Sequence, residues 1–158
     1  MSTPANQRSA VHSTFRIERT YPVPPERVFA AFSNQATKRR WFAEGEGWQV
    51  DQFTMDFRVG GSETSRFSFR GGAPMGNDTI YLDIVPDQRI VLTYTMTVAD
   101  KRISVSLVTV EIAPSGDGSL LVYTEQGVFL DGADETRLRE SGTRGLLKRL
   151  DKELQAHE

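Results

Sequence analysis

Six consecutive segments between residues 48 and 129 have the residue pattern of β-strands, and only short connections separate them. Each connection is rich in glycine, proline, asparagine or aspartate, the residues that tight turns require. Tight turns join antiparallel neighbours, because parallel strands need a much longer crossover. The sequence therefore predicts an antiparallel sheet built from Trp48–Phe57, Glu63–Arg70, Thr79–Val85, Arg89–Val98, Ile103–Ile112 and Leu120–Phe129.

A further strand and two short helices are predicted before these segments. Apolar and polar residues alternate over Thr14–Tyr21, which is typical of a strand. Prolines end that strand, and Pro25 suits the first position of a helix. A second short helix is expected to carry Trp41 and Phe42. Residues 1–13 lack the apolar core of a secretory signal, and we expect them to form a disordered lead-in.

The segment from Ala133 to His157 is predicted to form one long helix. Charged residues cover most of it, and its apolar stripe comprises Leu138, Leu146, Leu150 and Leu154. Only the sheet is large enough to bury such a stripe. The chain is therefore predicted to be a single α+β domain over residues 14–158.

The composition excludes several classes of function. The net charge is −2 and no basic stripe is visible, so nucleic acid is not an expected partner. The chain contains no cysteine, which excludes disulfides, thiolate metal sites and a cysteine nucleophile. No apolar run approaches the roughly 18 residues of a membrane span. We expect a cytoplasmic monomer or homodimer.

No catalytic motif stands out in the sequence. The two histidines, His12 and His157, lie near the chain ends, where neither is placed to orient a nucleophile or to share a metal ion. The glycine pairs lack the lysine and hydroxyl residue of a phosphate-binding loop, so they are interpreted as turns. The sequence therefore predicts no metal and no cofactor, and it favours a binding protein over an enzyme while leaving catalysis open.

Two glutamates are expected to point into the interior, because side chains alternate strictly across a sheet. The expected faces place Glu63 with Phe67 and Phe69, and Glu125 with Tyr123 and Phe129. A carboxylate in an apolar interior must be paired, be protonated or face a wet cavity. Two interpretations stay open. In the first, the glutamates form a structural ion pair with Arg19 or Arg139, or the parity is misread and they are solvated. In the second, they act on a ligand as a polar anchor or general base.

The strand at Thr79–Val85 has an ambiguous pattern. Burial of large rings is usual and would place Tyr81 in the core. Burial of the alternating Ile80, Leu82 and Ile84 would instead turn Tyr81 outward. The sequence does not decide between these two orientations.

Two glycines fall on the apolar face of the long helix. Gly142 and Gly145 follow Leu138 by four and seven residues. Glycine inside a helix costs up to about 1 kcal/mol relative to alanine, so some other gain must offset it. Close packing of the helix on the sheet and room for a ligand are both open explanations.

Five stretches of the chain resemble the activator-of-Hsp90-ATPase-homologue (AHSA1-like) branch of the START-like superfamily, also called SRPBCC or Bet v 1-like. They are Tyr21–Phe29, Arg40–Phe42, Phe57–Gly61, Asp83–Val91 and Tyr123–Gly127. The resemblance implies the helix-grip fold, in which a curved antiparallel sheet wraps a long C-terminal helix around a cavity. It also implies that relatives bind or transform hydrophobic small molecules. Relatives often carry Gly-Trp in the last helix where this chain has Gly142-Thr143, and the smaller side chain leaves room for a larger cavity.

The resulting functional prediction is the binding of a small hydrophobic molecule in a cavity between the sheet and the last helix. The alternatives are a cyclase, aromatase or hydrolase that uses an interior glutamate, and a protein-interaction module like the Hsp90 co-chaperone domain. The predicted pocket residues are Trp41, Glu63, Phe67, Phe69, Tyr94, Tyr123, Glu125, Phe129, Gly142, Gly145 and Leu146.

Overall fold

A curved, unclosed antiparallel sheet holds a long C-terminal helix in the structure, a computed structural model that describes residues 8–156. The strands of the sheet are β1 (Ala10–Tyr21), β2 (Trp48–Met55), β3 (Ser62–Phe69), β4 (Met75–Val85), β5 (Arg89–Val98), β6 (Lys101–Ser115) and β7 (Gly118–Leu130). Their spatial order is β1-β7-β6-β5-β4-β3-β2, so β2 to β7 form a meander and β1 joins its last strand.

The helices lie in two places along the chain. Two short helices, α1 (Pro25–Ser33) and α2 (Gln35–Lys38), follow β1, and a π-helical turn at Arg39–Ala43 continues from α2. The long helix α3 (Thr136–Ala156) follows β7. The predicted α+β helix-grip architecture is therefore confirmed. No helix within residues 8–156 is long and apolar enough to span a membrane.

The first strand starts earlier than the sequence pattern indicated. Residues 10–13 pair with residues 127–130 of β7, and the Ser9 amide donates a hydrogen bond to Asp131 Oδ1 at 3.0 Å. The prediction that residues 10–13 belong to a disordered lead-in is therefore wrong, because β7 is long enough to give them backbone partners. Residues 1–7 of the predicted lead-in, and His157 at the end of the predicted helix, lie outside the described residues.

The orientation of β4 is settled in favour of a buried tyrosine. Tyr81 is fully buried, whereas Ile80 and Leu82 are 44% and 47% exposed on the outer face of the sheet. A register shift between Tyr81 and Asp83 interrupts the alternation along this strand. Tyr81 points inward, and its hydroxyl donates a hydrogen bond to the Glu63 carboxylate.

The stripe that α3 buries differs in part from the predicted one. Leu147, Leu150 and Leu154 are buried, but Leu138 is 58% exposed, so its predicted place in the buried stripe is wrong. The Tyr21 hydroxyl donates a hydrogen bond to the Leu147 carbonyl at 2.9 Å and holds the second half of the helix against the sheet. The first half of the helix, which includes Leu138, lies beside a cavity.

Candidate ligand-binding cavity

A cavity of about 490 Å³ lies between the inner face of the sheet and α3. This volume is within the range of about 300–1,000 Å³ that is usual for small-molecule sites. Its walls are formed by residues of α1, α2, the π-helical turn, α3 and strands β2 to β7, and most of the lining side chains are aliphatic or aromatic. Eight of the eleven predicted pocket residues line it: Trp41, Glu63, Phe67, Tyr94, Tyr123, Gly142, Gly145 and Leu146.

The other three predicted pocket residues are not among those that line the cavity. Phe69 is 39% exposed and packs on Trp48, with ring centroids 4.7 Å apart. Glu125 and Phe129 are both buried beneath other side chains. For Phe129 the covering group is the Arg139 guanidinium, whose carbon lies 5.2 Å from the ring centroid. Strand parity correctly predicted that Glu125 and Phe129 in β7 point inward. It does not predict which other side chains cover them.

The cavity opens to solvent along one face of α3. Leu138, Gly142 and Gly145 line the cavity and are also exposed, so they form part of its mouth. A Cβ atom added at Gly142 or Gly145 would meet no heavy atom within 4 Å. Of the two explanations for these glycines, the structure supports open space and not close packing of the helix on the sheet. The cavity predicted between the sheet and the last helix therefore has an open side.

Trp41 is held rigidly at the wall of the cavity by local contacts. Its indole N–H donates a hydrogen bond to the Ala31 carbonyl at 2.9 Å, which satisfies the polar atom of an otherwise apolar ring. The ring packs edge-on against Phe32 and Phe42, with centroids 5.0 and 5.8 Å away. The π-helical turn at Arg39–Ala43 therefore presents a fixed aromatic surface to the interior.

Glu125 is the centre of a buried hydrogen-bond cluster. Its Oε2 accepts hydrogen bonds from Tyr94 at 2.7 Å and Ser106 at 2.8 Å, and its Oε1 accepts one from Tyr123 at 3.0 Å. The Arg139 guanidinium lies 3.4 Å from Oε2, so this glutamate is in a buried ion pair. Of the two predicted partners the structure selects Arg139 and not Arg19.

Arg139 links that cluster to the start of α3. Its guanidinium donates hydrogen bonds to Asp134 at 2.9 Å and Ser104 at 2.8 Å. Burial alone would lower the pKa of Arg139, but neighbouring Tyr94, Glu125 and Asp134 outweigh it and raise the pKa above its ordinary value. The guanidinium therefore stays charged and fastens the first turn of α3 to the sheet.

A second buried ion pair joins Lys38 to Glu63. Lys38 Nζ lies 2.7 Å from Glu63 Oε1 and 4.7 Å from the centroid of the Phe42 ring. Glu63 also accepts the hydrogen bond from Tyr81. The burial of Lys38 was not predicted from the sequence, since a lysine in a short helix is ordinarily solvated. The one available signal was its position three residues before Trp41, which places both on one helical face.

Two polar atoms beside this pair have no partner. Within residues 8–156, two buried side-chain oxygen atoms lack a hydrogen bond, and these are Ser65 Oγ and Asn77 Oδ1. Ser65 on β3 lies directly opposite Asn77 on β4, and both side chains line the cavity. Strand parity places Ser65 on the same face as Glu63, two residues earlier, but no sequence pattern singles it out.

All four tyrosines are expected to stay protonated in the folded protein well above pH 10. Burial raises the pKa of Tyr21, Tyr81, Tyr94 and Tyr123 above the ordinary value of 10.0, and Glu63 or Glu125 adds to the shift at the last three. Since the folded pKa exceeds the unfolded one, this contribution to stability is complete below about pH 10 and is lost at higher pH.

An alkaline titration followed by ultraviolet absorbance and circular dichroism tests this expectation. Tyrosinate absorbance should appear together with the loss of the folded signal, in a single step. The chain in strong guanidinium chloride is the control and should titrate near pH 10. Tyrosinate forming near pH 10 while the protein stays folded would show that these hydroxyls are not buried as described.

The curved sheet, the long helix that it holds and the cavity between them define a helix-grip protein of the START-like class. Residues 22–155 match the family model described as "Activator of Hsp90 ATPase homolog 1-like protein", and the chain belongs to this family. The resemblance found in the sequence is thereby confirmed. The family and the fold are consistent with a ligand-binding domain.

Solved structures of similar proteins come from several bacteria. A protein from Rhizobium loti is 56% identical, with 92% of this chain and 99% of the other covered and a TM-score of 0.86. An uncharacterized protein from Rhizobium leguminosarum is 40% identical, with 96% and 100% covered and a TM-score of 0.93. A protein from Chromobacterium violaceum is 28% identical, with 88% and 94% covered and a TM-score of 0.74. No curated protein matches the sequence.

Proposed function

We propose that the protein binds a small hydrophobic molecule in the cavity between the sheet and α3. The observation that carries this proposal is the cavity of about 490 Å³ whose mouth is bordered by Gly142 and Gly145. Alanine at either position would meet no neighbour and would favour the helix by up to about 1 kcal/mol. Glycine at both positions lowers the stability of α3 and keeps the space beside the helix open, as expected if a ligand binds in that space.

The residue beside these glycines supports the same proposal. Thr143 stands where relatives often carry tryptophan, and it is buried in the cavity wall. Its hydroxyl donates a hydrogen bond to the Arg139 carbonyl at 3.0 Å, one turn earlier in α3. The polar atom of Thr143 is therefore satisfied along the helix, and the side chain presents a small apolar surface to the cavity.

The position of Glu125 favours binding over acid–base catalysis by this residue. An ionised carboxylate has about four lone-pair sites. Glu125 directs its oxygens toward four donors on Tyr94, Ser106, Tyr123 and Arg139. A general base needs a free lone pair within hydrogen-bond reach of the substrate proton. Oε2 meets three of these donors and Oε1 meets Tyr123, and all four groups belong to the protein. Glu125 is not among the residues that line the cavity, so it is not placed to reach a ligand there.

A thermal-shift screen with apolar probes tests the proposal. Molecules that bind the native state should raise the melting temperature by roughly 5–10 °C at 100 times their dissociation constant. Gly145→Leu places a side chain in the mouth of the cavity and should abolish the shifts without lowering the melting temperature of the free protein.

The matched control is Ser141→Leu, which puts the same side chain on an exposed position of α3 that does not line the cavity. This variant should respond to the probes as the unaltered protein does. A screen in which no apolar molecule shifts the melting temperature, or equal responses from both leucine variants, would contradict ligand binding at this site.

A further inference from the structure

The Ser65 hydroxyl and the Asn77 side-chain oxygen, which have no partner, form a small polar subsite on the sheet wall of the cavity. Directly opposed residues of antiparallel strands hold their Cβ atoms roughly 4.5–5.5 Å apart, so one ligand atom can reach both side chains. Ser65 is 2% exposed, and its hydroxyl group is aimed into the cavity lining without a partner. Nearly all buried polar atoms in proteins are hydrogen-bonded, so two adjacent exceptions point to a partner from outside the chain.

The surrounding side chains do not supply that partner. Ser65 is flanked across the sheet by Phe53 on β2, and Asn77 is flanked by Met96 on β5. A phenyl ring offers no conventional donor or acceptor, and a thioether sulfur is only a weak acceptor. Glu63, two residues before Ser65 on the same face, already binds Lys38 and Tyr81.

The chemistry of the two atoms selects the group that fits between them. Asn77 Oδ1 only accepts hydrogen bonds, whereas the Ser65 hydroxyl both donates and accepts. A hydroxyl group satisfies both, since it donates to Asn77 and accepts from Ser65. A ketone would leave Asn77 Oδ1 without a donor. A carboxylate would place its negative charge against that acceptor, and an ammonium group would have to lose its hydration in an apolar pocket.

We infer that the ligand is a neutral, largely apolar alcohol or phenol whose hydroxyl group is bound between Ser65 and Asn77. This inference deepens the proposed function and rests on it. The buried ion pairs support a neutral ligand, because Lys38 is matched by Glu63 and Arg139 is matched by Glu125 and Asp134. These buried charges are therefore paired before a ligand enters. Arg149 on α3 also lines the cavity, and it donates a hydrogen bond to the Arg40 carbonyl at 3.4 Å.

Two probes of nearly equal size, 2-naphthol and 2-methylnaphthalene, separate the hydroxyl contribution from the apolar one. In calorimetric titrations at neutral pH, 2-naphthol is expected to bind the unaltered protein on the order of tenfold more tightly or better. Ser65→Ala should reduce that preference to near one, chiefly by weakening 2-naphthol.

Ser119→Ala is the matched control. Ser119 is as buried as Ser65, but its hydroxyl donates to the Val23 carbonyl at 2.7 Å and does not line this cavity. The Ser119 variant should keep the preference for 2-naphthol and should melt at a lower temperature. The Ser65 variant should melt no lower than the unaltered protein, because the serine hydroxyl has no partner to lose.

The possible results distinguish this inference from the proposed function. Equal binding of the two probes, or weaker binding of 2-naphthol, overturns the hydroxyl subsite and leaves ligand binding standing. A lower melting temperature for Ser65→Ala, comparable with that of Ser119→Ala, also overturns it, because Ser65 would then have an internal partner. Failure of every apolar molecule in the thermal-shift screen overturns the proposed function instead.

Discussion

Replacing Glu63 with glutamine is expected to lower the free energy of unfolding by about 3–5 kcal/mol, because it leaves the Lys38 ammonium group buried without a counter-charge. Lys38 is 5% exposed, and Glu63 is its carboxylate partner within residues 8–156. The aromatic rings of Phe42 and Tyr81 lie near the ammonium group but do not replace a negative charge. Urea unfolding of the variant measures the loss.

Two further variants make that measurement specific. Asp56→Asn removes the carboxylate of an ion pair of similar length that is exposed, and it should change the stability by less than about 1 kcal/mol. The double variant Lys38→Met with Glu63→Gln removes both charges and should recover most of the loss. If Glu63→Gln unfolds at the same urea concentration as the unaltered protein, Lys38 reaches water and the described burial is incorrect.

Replacing Glu125 with glutamine is expected to cost about 3 kcal/mol of stability, since the buried Arg139 then keeps a single carboxylate partner. That partner is Asp134, whose Oδ2 lies 2.9 Å from the guanidinium. The amide of the new glutamine also brings two N–H donors into a site where the Tyr94, Ser106 and Tyr123 hydroxyls already donate. Both effects act on the folded state, so denaturant unfolding is the appropriate measurement.

The control for this variant is Glu140→Gln on the same helix. Glu140 pairs with Arg144 one turn later on a solvated face. Removing this ion pair should lower the free energy of unfolding by about 0.5 kcal/mol or less. A Glu125→Gln protein that is as stable as the Glu140→Gln protein, but has lost ligand binding, would make Glu125 a ligand anchor and would contradict its assignment as a structural ion-pair partner.

The elements with strong local patterns were predictable from the sequence. The bounds of β5 agree at both ends, because turn residues flank an alternating run of residues 89–98. The inward orientation of Glu63 and Glu125 followed from strand parity alone, since side chains alternate whatever their partners are. The overall architecture then followed from burying one face of α3 on one face of the sheet.

The parts that were missed depend on partners far away in the chain. Lys38 can be buried because Glu63 on β3 supplies its counter-charge, and no local pattern in α2 predicts that carboxylate. Residues 10–13 form strand only because β7 extends beside them. Leu138 has the spacing of a buried residue, but the sheet side of that turn of α3 is occupied by a cavity. Periodicity reports which side of an element is apolar, not whether protein or empty space lies opposite.

The pairing of β1 with β7 has a consequence for how the protein is made. Of the strands in this sheet β1 is synthesised first, yet it pairs with β7, the last of them, with Ala10 opposite Leu130. Such distant pairings fold slowly, while the successive hairpins from β2 to β7 can assemble as they emerge. The backbone groups of β1 therefore stay unpaired until β7 has been synthesised, and during that time the nascent chain is prone to aggregation. Since α3 follows β7, the binding site comes into existence only after the last residues of that helix have been released.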